Sequence, residues 1–491
     1  MDLRQETYDL LQKTGPGRMM PTDYDTAWVA RLAELGEPIG RRALDWIRGH
    51  QLADGTWGAP QPYYHHDRAV STLAAVTALA KQGDPVDQAR VDRAQEGLQQ
   101  ALEGLDADPA GETIGFEMIV PTLLNEAQSL GAIDHQGVEV IRHLTPKRSA
   151  KLSALPEGMI NRFVTLAFSA EMAGPDGIQL LDVENLQEAD GSISFSPSAT
   201  AYYALYVCRR DQEALEYLQR IASNGSVPNV SPFDIFEPAW ILWNLKLIDM
   251  DDEMDALCQP HIDFLEDAWL PGQGAGFAAD YAPKDADGTS VVFEVLDHFG
   301  RPLDLEAVLH YESPYYFRCF DLESTPSVSA NIHVLGALRQ AGLAPAHPSV
   351  DKVLYFLDKI RADKPFWLDK WHASPYYPTA HAVIASVGYD NEIIDKAVNW
   401  ILKTQEENGS WGFYNLPTAE ETAYCLQALA IWNRRKGGVP RHVFERGAAW
   451  LAEHTEPPYP PLWIGKCLYC PVLVVRSAVL SALMLVDEEL R

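Results

Sequence analysis

Three short stretches carry residue types that could do chemistry. Residues 285–290, Asp-Ala-Asp-Gly-Thr-Ser, set two carboxylates two positions apart. That pattern serves either acid–base chemistry or, as plain structure, a helix N-cap with an acidic first turn. Residues 250–256, Met-Asp-Asp-Glu-Met-Asp-Ala, contain an Asp-Asp-x-x-Asp spacing that could hold a divalent metal. They follow an apolar helical run that ends at Ile248, and they read better as a solvated loop. Cys467 and Cys470 form a Cys-x-x-Cys pair, but no second pair or His cluster completes a zinc site, so core cysteines on a helix are expected.

The elements that must position these groups are helical. Phe236, Trp240, Trp243 and Leu247 keep a 4-3-4 spacing, and Val350, Val353, Leu357 and Ile360 a 3-4-3 spacing. Segments of about 12 to 15 residues are punctuated by Gly, Pro and Asp, the pattern of paired antiparallel helices, and alternating strand patterns are few. The expected fold class is all-α. At 491 residues the chain suits two domains of about 200 to 250 residues. A formal net charge of −30, from 39 Lys plus Arg against 69 Asp plus Glu, argues against nucleic acid and anionic membranes as partners. Six scattered cysteines suggest a reducing compartment without a disulfide framework. The N-terminus lacks an apolar signal region, and the apolar run 471–486 is broken by Arg476, so a cytoplasmic protein with a buried terminal helix is expected.

A repeat runs through the chain. Gln51-x-x-x-Gly55-x-Trp57, Gln187-x-x-x-Gly191-x-Ile193 and Gln405-x-x-x-Gly409-x-Trp411 each follow an apolar helical segment. The Gly allows a left-handed turn at a helix end, the Gln can satisfy free backbone groups, and the large apolar residue fills the gap between helices. Ala-Asp-Gly occurs in two of these turns, at 53–55 and 189–191, and again at 286–288, where the upstream Gln is missing and Asp285 stands instead.

Such Gln-Gly-Trp turns resemble those that staple the α/α barrels of class II terpene cyclases. Asp-Tyr-Asp-Thr-Ala-Trp-Val-Ala (23–30) and Trp-Ile-Gly-Lys-Cys-Leu-Tyr (463–469) are similar to motifs of the class II diterpene cyclases, and the resemblance spans nearly the whole chain. It is strongest to the short bacterial halimadienyl and copalyl diphosphate synthase-like enzymes. It implies two facing α barrels: residues 1–22 as an N-terminal segment of a β domain, 23–265 as an inserted γ domain, and 266–491 as the rest of β. It further implies protonation-initiated cyclisation of geranylgeranyl diphosphate with the diphosphate retained. In the Asp-x-Asp motif Asp287 is then the general acid, Asp285 tunes it, and Thr289 completes the motif. Gly288 departs from the family's Asp or Thr. Asn331, 44 residues beyond Asp287, matches the Asn that hydrogen-bonds the acid.

The same resemblance assigns diphosphate contacts to Arg162, Lys370 and Lys466, and magnesium to the acidic run with Asp106, Asp108, Glu112 and Glu117. Cation-stabilising walls would come from Trp367, Trp371, Tyr376, Tyr377 and Tyr424, since aromatic faces attract cations without attacking them. Phe168 and Asn229 stand where relatives of one stereochemical series keep a His/Asn pair holding water; loss of the His suggests a rearranged, halimadienyl-like product. Alternatives are farnesyl diphosphate as substrate with a drimenyl product, and a non-catalytic helical-repeat scaffold. A downstream class I synthase or phosphatase and a homodimer are the partners this reading allows.

Overall fold

The computed structural model describes residues 2–134, 141–321, 323, 325–389 and 391–491. Helix dominates; the only strands among the described residues are the pair Trp463–Ile464 (β1) and Leu468–Tyr469 (β2), antiparallel with Trp463 opposite Tyr469.

The first half builds a barrel around an inner ring. α2 (Asp23–Ala30) packs on α4 (His65–Gln82), α4 on α6 (Phe116–Ser129), α6 on the 3-10 segment Thr165–Ala173, that segment on α8 (Pro197–Tyr202), and α8 back on α2. Outside them lie α3 (Pro38–Gly49), α5 (Gln88–Glu103), α7 (Leu144–Ala154) and α9 (Gln212–Ile221), each against its inner neighbour. The second half closes a ring of six: α10 (Phe236–Leu245), α12 (Ala286–His298), α14 (Val328–Gln340), α16 (Tyr376–Ala385), α18 (Ala419–Lys436) and α20 (Val472–Leu490) contact one another in that order, and α20 returns to α10. α11 (Asp252–Ala268), the short α13 (Glu306–Leu309), α15 (Pro348–Ile360), α17 (Glu392–Lys403) and α19 (Arg441–Ala452) lie outside, as does α1 (Leu3–Lys13), which packs on α20 and α11. The sequence explains the layering. Every residue of α10, α14 from Val328 to Leu338, and α16 is buried, whereas α3, α15 and α17 bury one stripe, the mark of inner and surface helices respectively.

Core membership divides the chain. Nearly all buried apolar residues from Tyr24 to Val227 share one hydrophobic cluster; Leu10, Leu11, Phe195 and nearly all buried apolar residues from Val230 onward share another. The division expected at residue 265 therefore falls too late, because α10 and α11 bury their apolar faces in the second barrel. The β1–β2 hairpin crosses between barrels: Cys467 joins the first core, and the Leu468 N–H reaches Asp67 Oδ1 at 2.9 Å. Cys467 and Cys470 are buried free thiols, but of this hairpin and its end rather than of a helix. Among the described residues no helix is long and apolar enough to cross a membrane.

The Gln-Gly-Trp turns act as the sequence suggests. Gln51, Gln187 and Gln405 donate from Nε2 to the carbonyls of Gly55, Gly191 and Gly409 at 2.9, 3.0 and 2.9 Å. Trp57 and Trp411 each donate from Nε1 to the carbonyl ten residues upstream, Ile47 and Ile401, at 2.8 Å. Trp367 makes the same bond to Leu357, at 2.8 Å, without any upstream Gln. The glycines are obligatory: at Gly409, φ +97°, a Cβ would come within 2.4 Å of the Arg446 carbonyl.

Candidate active site

Asp285 is the N-cap of α12. Its Oδ1 accepts the Gly288 N–H at 2.7 Å, satisfying one of the free donors at the helix start. It is buried, and that burial pushes its pKa up to about 7, against the opposing Gly288 hydrogen bond. Asp287 lies in the first turn with 16% of its side chain exposed, and it faces the cavity described below. The capping geometry and the acid site are thus the same object: Asp285 holds the turn that presents Asp287. A Cβ at Gly288 would stand 3.4 Å from both Asp285 Oδ1 and the Gly276 carbonyl, ordinary contact, so packing does not forbid a side chain there.

The partner of Asp287 is His333, not Asn331. His333 Nδ1 lies 2.5 Å from Asp287 Oδ1. Asn331 spends its amide on backbone, accepting from the Phe317 N–H at 2.8 Å and donating to the carbonyls of Phe317 and Ser327 at 2.9 and 2.8 Å. Two residues along a helix turn the side chain through about 200°, so Asn331 and His333 face opposite ways on α14. Thr289 is also structural: its hydroxyl donates to the Ala275 carbonyl at 3.1 Å and accepts the Ala275 N–H at 3.0 Å.

Between the barrels lies a cavity of about 430 Å³, within the range of about 300 to 1,000 Å³ usual for small-molecule sites. Asp285, Asp287 and Gly288 line it together with Phe168, Phe233, Phe236, Trp240, Phe277, Tyr281, Phe320, Trp371, Trp463 and Tyr469. Of the five aromatic residues expected on its wall, only Trp371 is there; Phe168, expected in place of a water-holding His, lines it too. Tyr377 stands behind it, accepting from Trp240 Nε1 at 3.1 Å. Trp367 is a staple, Tyr376 stacks on Trp400 at 4.6 Å, and Tyr424 packs edge-on to Tyr377. Most of the wall comes instead from α10 and the loops before α10 and α12, which the motifs do not mark, with Trp463 and Tyr469 added by the 463–469 motif. Asn229 also lines the cavity; its Nδ2 donates to buried Asp25 Oδ2 at 2.9 Å, which directs the amide nitrogen away from the ligand space.

The three cations expected to hold a diphosphate are absent from this lining. Lys466 is fully buried and donates to Glu171 Oε1, Ser196 Oγ and Ser198 Oγ at 2.6, 2.7 and 2.7 Å, which uses all three of its protons. It clasps the hairpin to the first barrel. Lys370 is paired with Glu323 at 2.5 Å and the Thr325 carbonyl at 2.6 Å. Arg162 lies over the Phe163 ring at 5.0 Å. The cation that does line the cavity, alone among the described residues, is Lys151 of α7, with its side chain half exposed and ion-paired to Glu117 of α6. Nothing in the local sequence distinguishes Lys151 from a surface lysine; only the cavity does.

The four acids expected to bind magnesium do not converge, and no group of three or more His, Cys, Asp or Glu side chains able to hold a metal exists among the described residues. Asp108 accepts from the backbone of His65 and His66 and bonds the His66 ring at 2.7 Å. Asp106 and Glu112 are exposed, and Glu117 alone reaches the cavity. A protein-built magnesium cage does not fit here; a single carboxylate sharing the ion with a bound diphosphate does. The Asp-Asp-x-x-Asp acids are not a metal site either, and not in a loop: Asp251 caps α11 by accepting the Met254 N–H at 2.9 Å, and Asp252 and Asp255 are exposed in its first turn.

Residues 319–458 match the family model of the squalene-hopene cyclase C-terminal domain. A Type B diterpene cyclase of Mycobacterium tuberculosis is 45% identical over 98% of this chain and 98% of its own. An ent-copalyl diphosphate synthase of a Streptomyces species is 31% identical, covering 95% of this chain and 92% of that protein. The solved ent-copalyl diphosphate synthase from Streptomyces platensis superposes with a TM-score of 0.80 at 28% identity, covering 99% of this chain and all of that one. With two α/α barrels, an acid pair at the cavity between them and relatives that align from end to end, the chain belongs to the class II diterpene cyclases and is an enzyme of that family.

Proposed function

We propose that the enzyme protonates the terminal double bond of geranylgeranyl diphosphate and closes two rings, releasing a bicyclic diterpenyl diphosphate. The observation that carries this reading is Asp287, hydrogen-bonded to a buried histidine and facing a cavity walled by aromatic rings. Alkenes are weak bases, so the acid must be neutral, shielded from water and have its anion stabilised. The Asp287 O–H bond breaks as a C–H bond forms at the alkene; the resulting cation is captured in turn by the next double bonds. A proton is finally lost from the bicyclic cation, so product and substrate are isomers. The cation passes along rings whose faces attract it by about 0.5 to 2 kcal/mol each. The relatives' names support a twenty-carbon diphosphate.

The diphosphate stays intact on this reading, which the place of the Asp-Asp-x-x-Asp acids at the start of α11, outside the cavity lining, supports. Lys151 would hold it, and Glu117 is the residue that would help hold a magnesium ion, which would supply neutralisation of the phosphate charge. Phe168, which lines the same cavity as Asn229, offers no proton acceptor, which favours a rearranged halimadienyl-type skeleton over the copalyl type.

Incubation with geranylgeranyl diphosphate and magnesium, with products analysed before and after phosphatase treatment, tests the proposal. A cyclic alcohol is expected only after phosphatase, and none from Asp287→Ala. A hydrocarbon released without phosphatase, or an unimpaired Asp287→Ala, contradicts it.

A further inference from the structure

The Asp287–His333 hydrogen bond continues to a second histidine. His333 Nε2 lies 2.9 Å from His381 Nδ1, and each residue is 1% exposed. α14 and α16, neighbours in the inner ring, bring the two rings together. His381 stacks on Trp243 with centroids 4.2 Å apart at 9°, and Tyr377 and Tyr424 close its remaining sides at 4.3 and 5.2 Å. Its Nε2 is buried and meets no hydrogen-bond partner among the described residues. Burial first, then the neighbouring His333, His372 and Lys246, hold its pKa well below the ordinary histidine value, so the ring is neutral.

A neutral imidazole carries one N–H. Placed on Nε2 it would be a buried donor with nothing to bond, whereas a bare lone pair there is the smaller loss, since unmet buried acceptors are tolerated more often than unmet N–H groups. The proton therefore sits on Nδ1 and is donated to His333 Nε2. His333 must then carry its own proton on Nδ1, donated to Asp287 Oδ1. Resting on the reading of Asp287 as proton donor, we infer that His381 is a positioning residue that locks His333 as the neutral Nδ1–H tautomer and so keeps the acid proton on Asp287.

The alternatives show what the lock prevents. In the Nε2–H tautomer, His333 would turn a lone pair toward Asp287 and draw its O–H away from the cavity. As an imidazolium it would face a carboxylate that has no proton to give. A donor at His381 Nδ1 opposes both, because each requires a proton on His333 Nε2.

The test pairs kinetics with a direct view of the tautomer in the full-length enzyme. In protein labelled with 15N-histidine, the His333 signals, assigned by their loss in His333→Asn, are expected to show the neutral Nδ1–H form. His381→Phe keeps a ring on Trp243 but removes the donor; it is expected to lower kcat on geranylgeranyl diphosphate at least about tenfold with KM unchanged, and to shift His333 away from that form. His381→Asn keeps an amide N–H near the Nδ1 position and is expected to recover most of kcat and the Nδ1–H signature. An Nε2–H or imidazolium His333 in the wild type, or a His381→Phe enzyme whose His333 signals are unchanged, overturns the inference. Asp287→Asn in the same assay separates the two readings. If it stays active, the reading of Asp287 fails. If it is inactive while His381→Phe is unimpaired, only the relay fails.

Discussion

Ala-Asp-Gly at 189–191 and Ala-Asp-Gly at 286–288 differ in everything their neighbours do. At the first, Asp190 Oδ1 accepts from the Ser192 N–H at 2.9 Å and its hydroxyl at 2.6 Å, and Gly191, at φ +89°, passes so close to α9 that a Cβ would come within 2.3 Å of the Glu213 carbonyl. At the second, Asp287 bonds no part of its own loop; it reaches across to His333 on another helix, and Gly288 is an ordinary helical residue. In the staple the carboxylate is only an acceptor, and the third staple shows it: Asn408 makes the same two bonds to Ser410 at 3.0 and 2.6 Å. In the acid site the ionisable proton is the function. The comparison teaches that a short motif declares its role by where its side chain finds a partner.

Substituting the two aspartates alike should separate these roles most sharply. Asp287→Asn is expected to lower kcat by about 10³-fold or more while leaving thermal unfolding unchanged, because the amide keeps the shape and loses the acid. A fall in Tm with retained activity would reverse the assignment.

Asp285 gives the next largest effect, through pH. Its folded pKa of about 7 lies above the ordinary carboxylate value of 3.8, so the protonated form is favoured by folding. The stability this contributes is fully present below about pH 4 and is lost as pH rises through 7. Asp285→Asn, which keeps a good N-cap, should therefore gain on wild type in urea unfolding as pH goes from 5 to 8; a constant difference would show that Asp285 is not protonated in the fold.

A methyl group in a staple should cost less. Gly409→Ala forces φ +97° on an L-residue and a 2.4 Å approach to the Arg446 carbonyl, an expected loss of about 1 to 3 kcal/mol by chemical denaturation, with kcat of the folded enzyme unaltered. Asp190→Asn is the smallest, within about 0.5 kcal/mol of wild type and fully active, since Asn408 already does that task in the third staple.

What was legible in the sequence was local. Gln, Gly and Trp of a staple lie within seven residues, and the bonds from Gln51 to the Gly55 carbonyl and from Trp57 to the Ile47 carbonyl are local, so spacing alone identifies the turn, although Gln51 also reaches the Arg90 carbonyl on α5. The Asp285 cap and the helical spacing of Phe236, Trp240 and Trp243 in α10 are legible for the same reason. What was missed depends on partners far along the chain. His333 rather than Asn331 faces Asp287 because of how α14 is rotated against α12, a matter of packing. Lys466 has the right motif and the wrong neighbours: Glu171, Ser196 and Ser198 lie 268 to 295 residues away in sequence. Trp367 reads from sequence as a wall residue because its staple lacks the Gln that marks the others.

The central claim is that the reaction begins with a proton from Asp287, and the proton itself can be followed. Run in D₂O, where the carboxyl group exchanges with solvent, the wild-type enzyme should convert geranylgeranyl diphosphate into a bicyclic diphosphate one mass unit heavier, with a single deuterium on the carbon that was protonated. An unlabelled cyclic product would contradict the account.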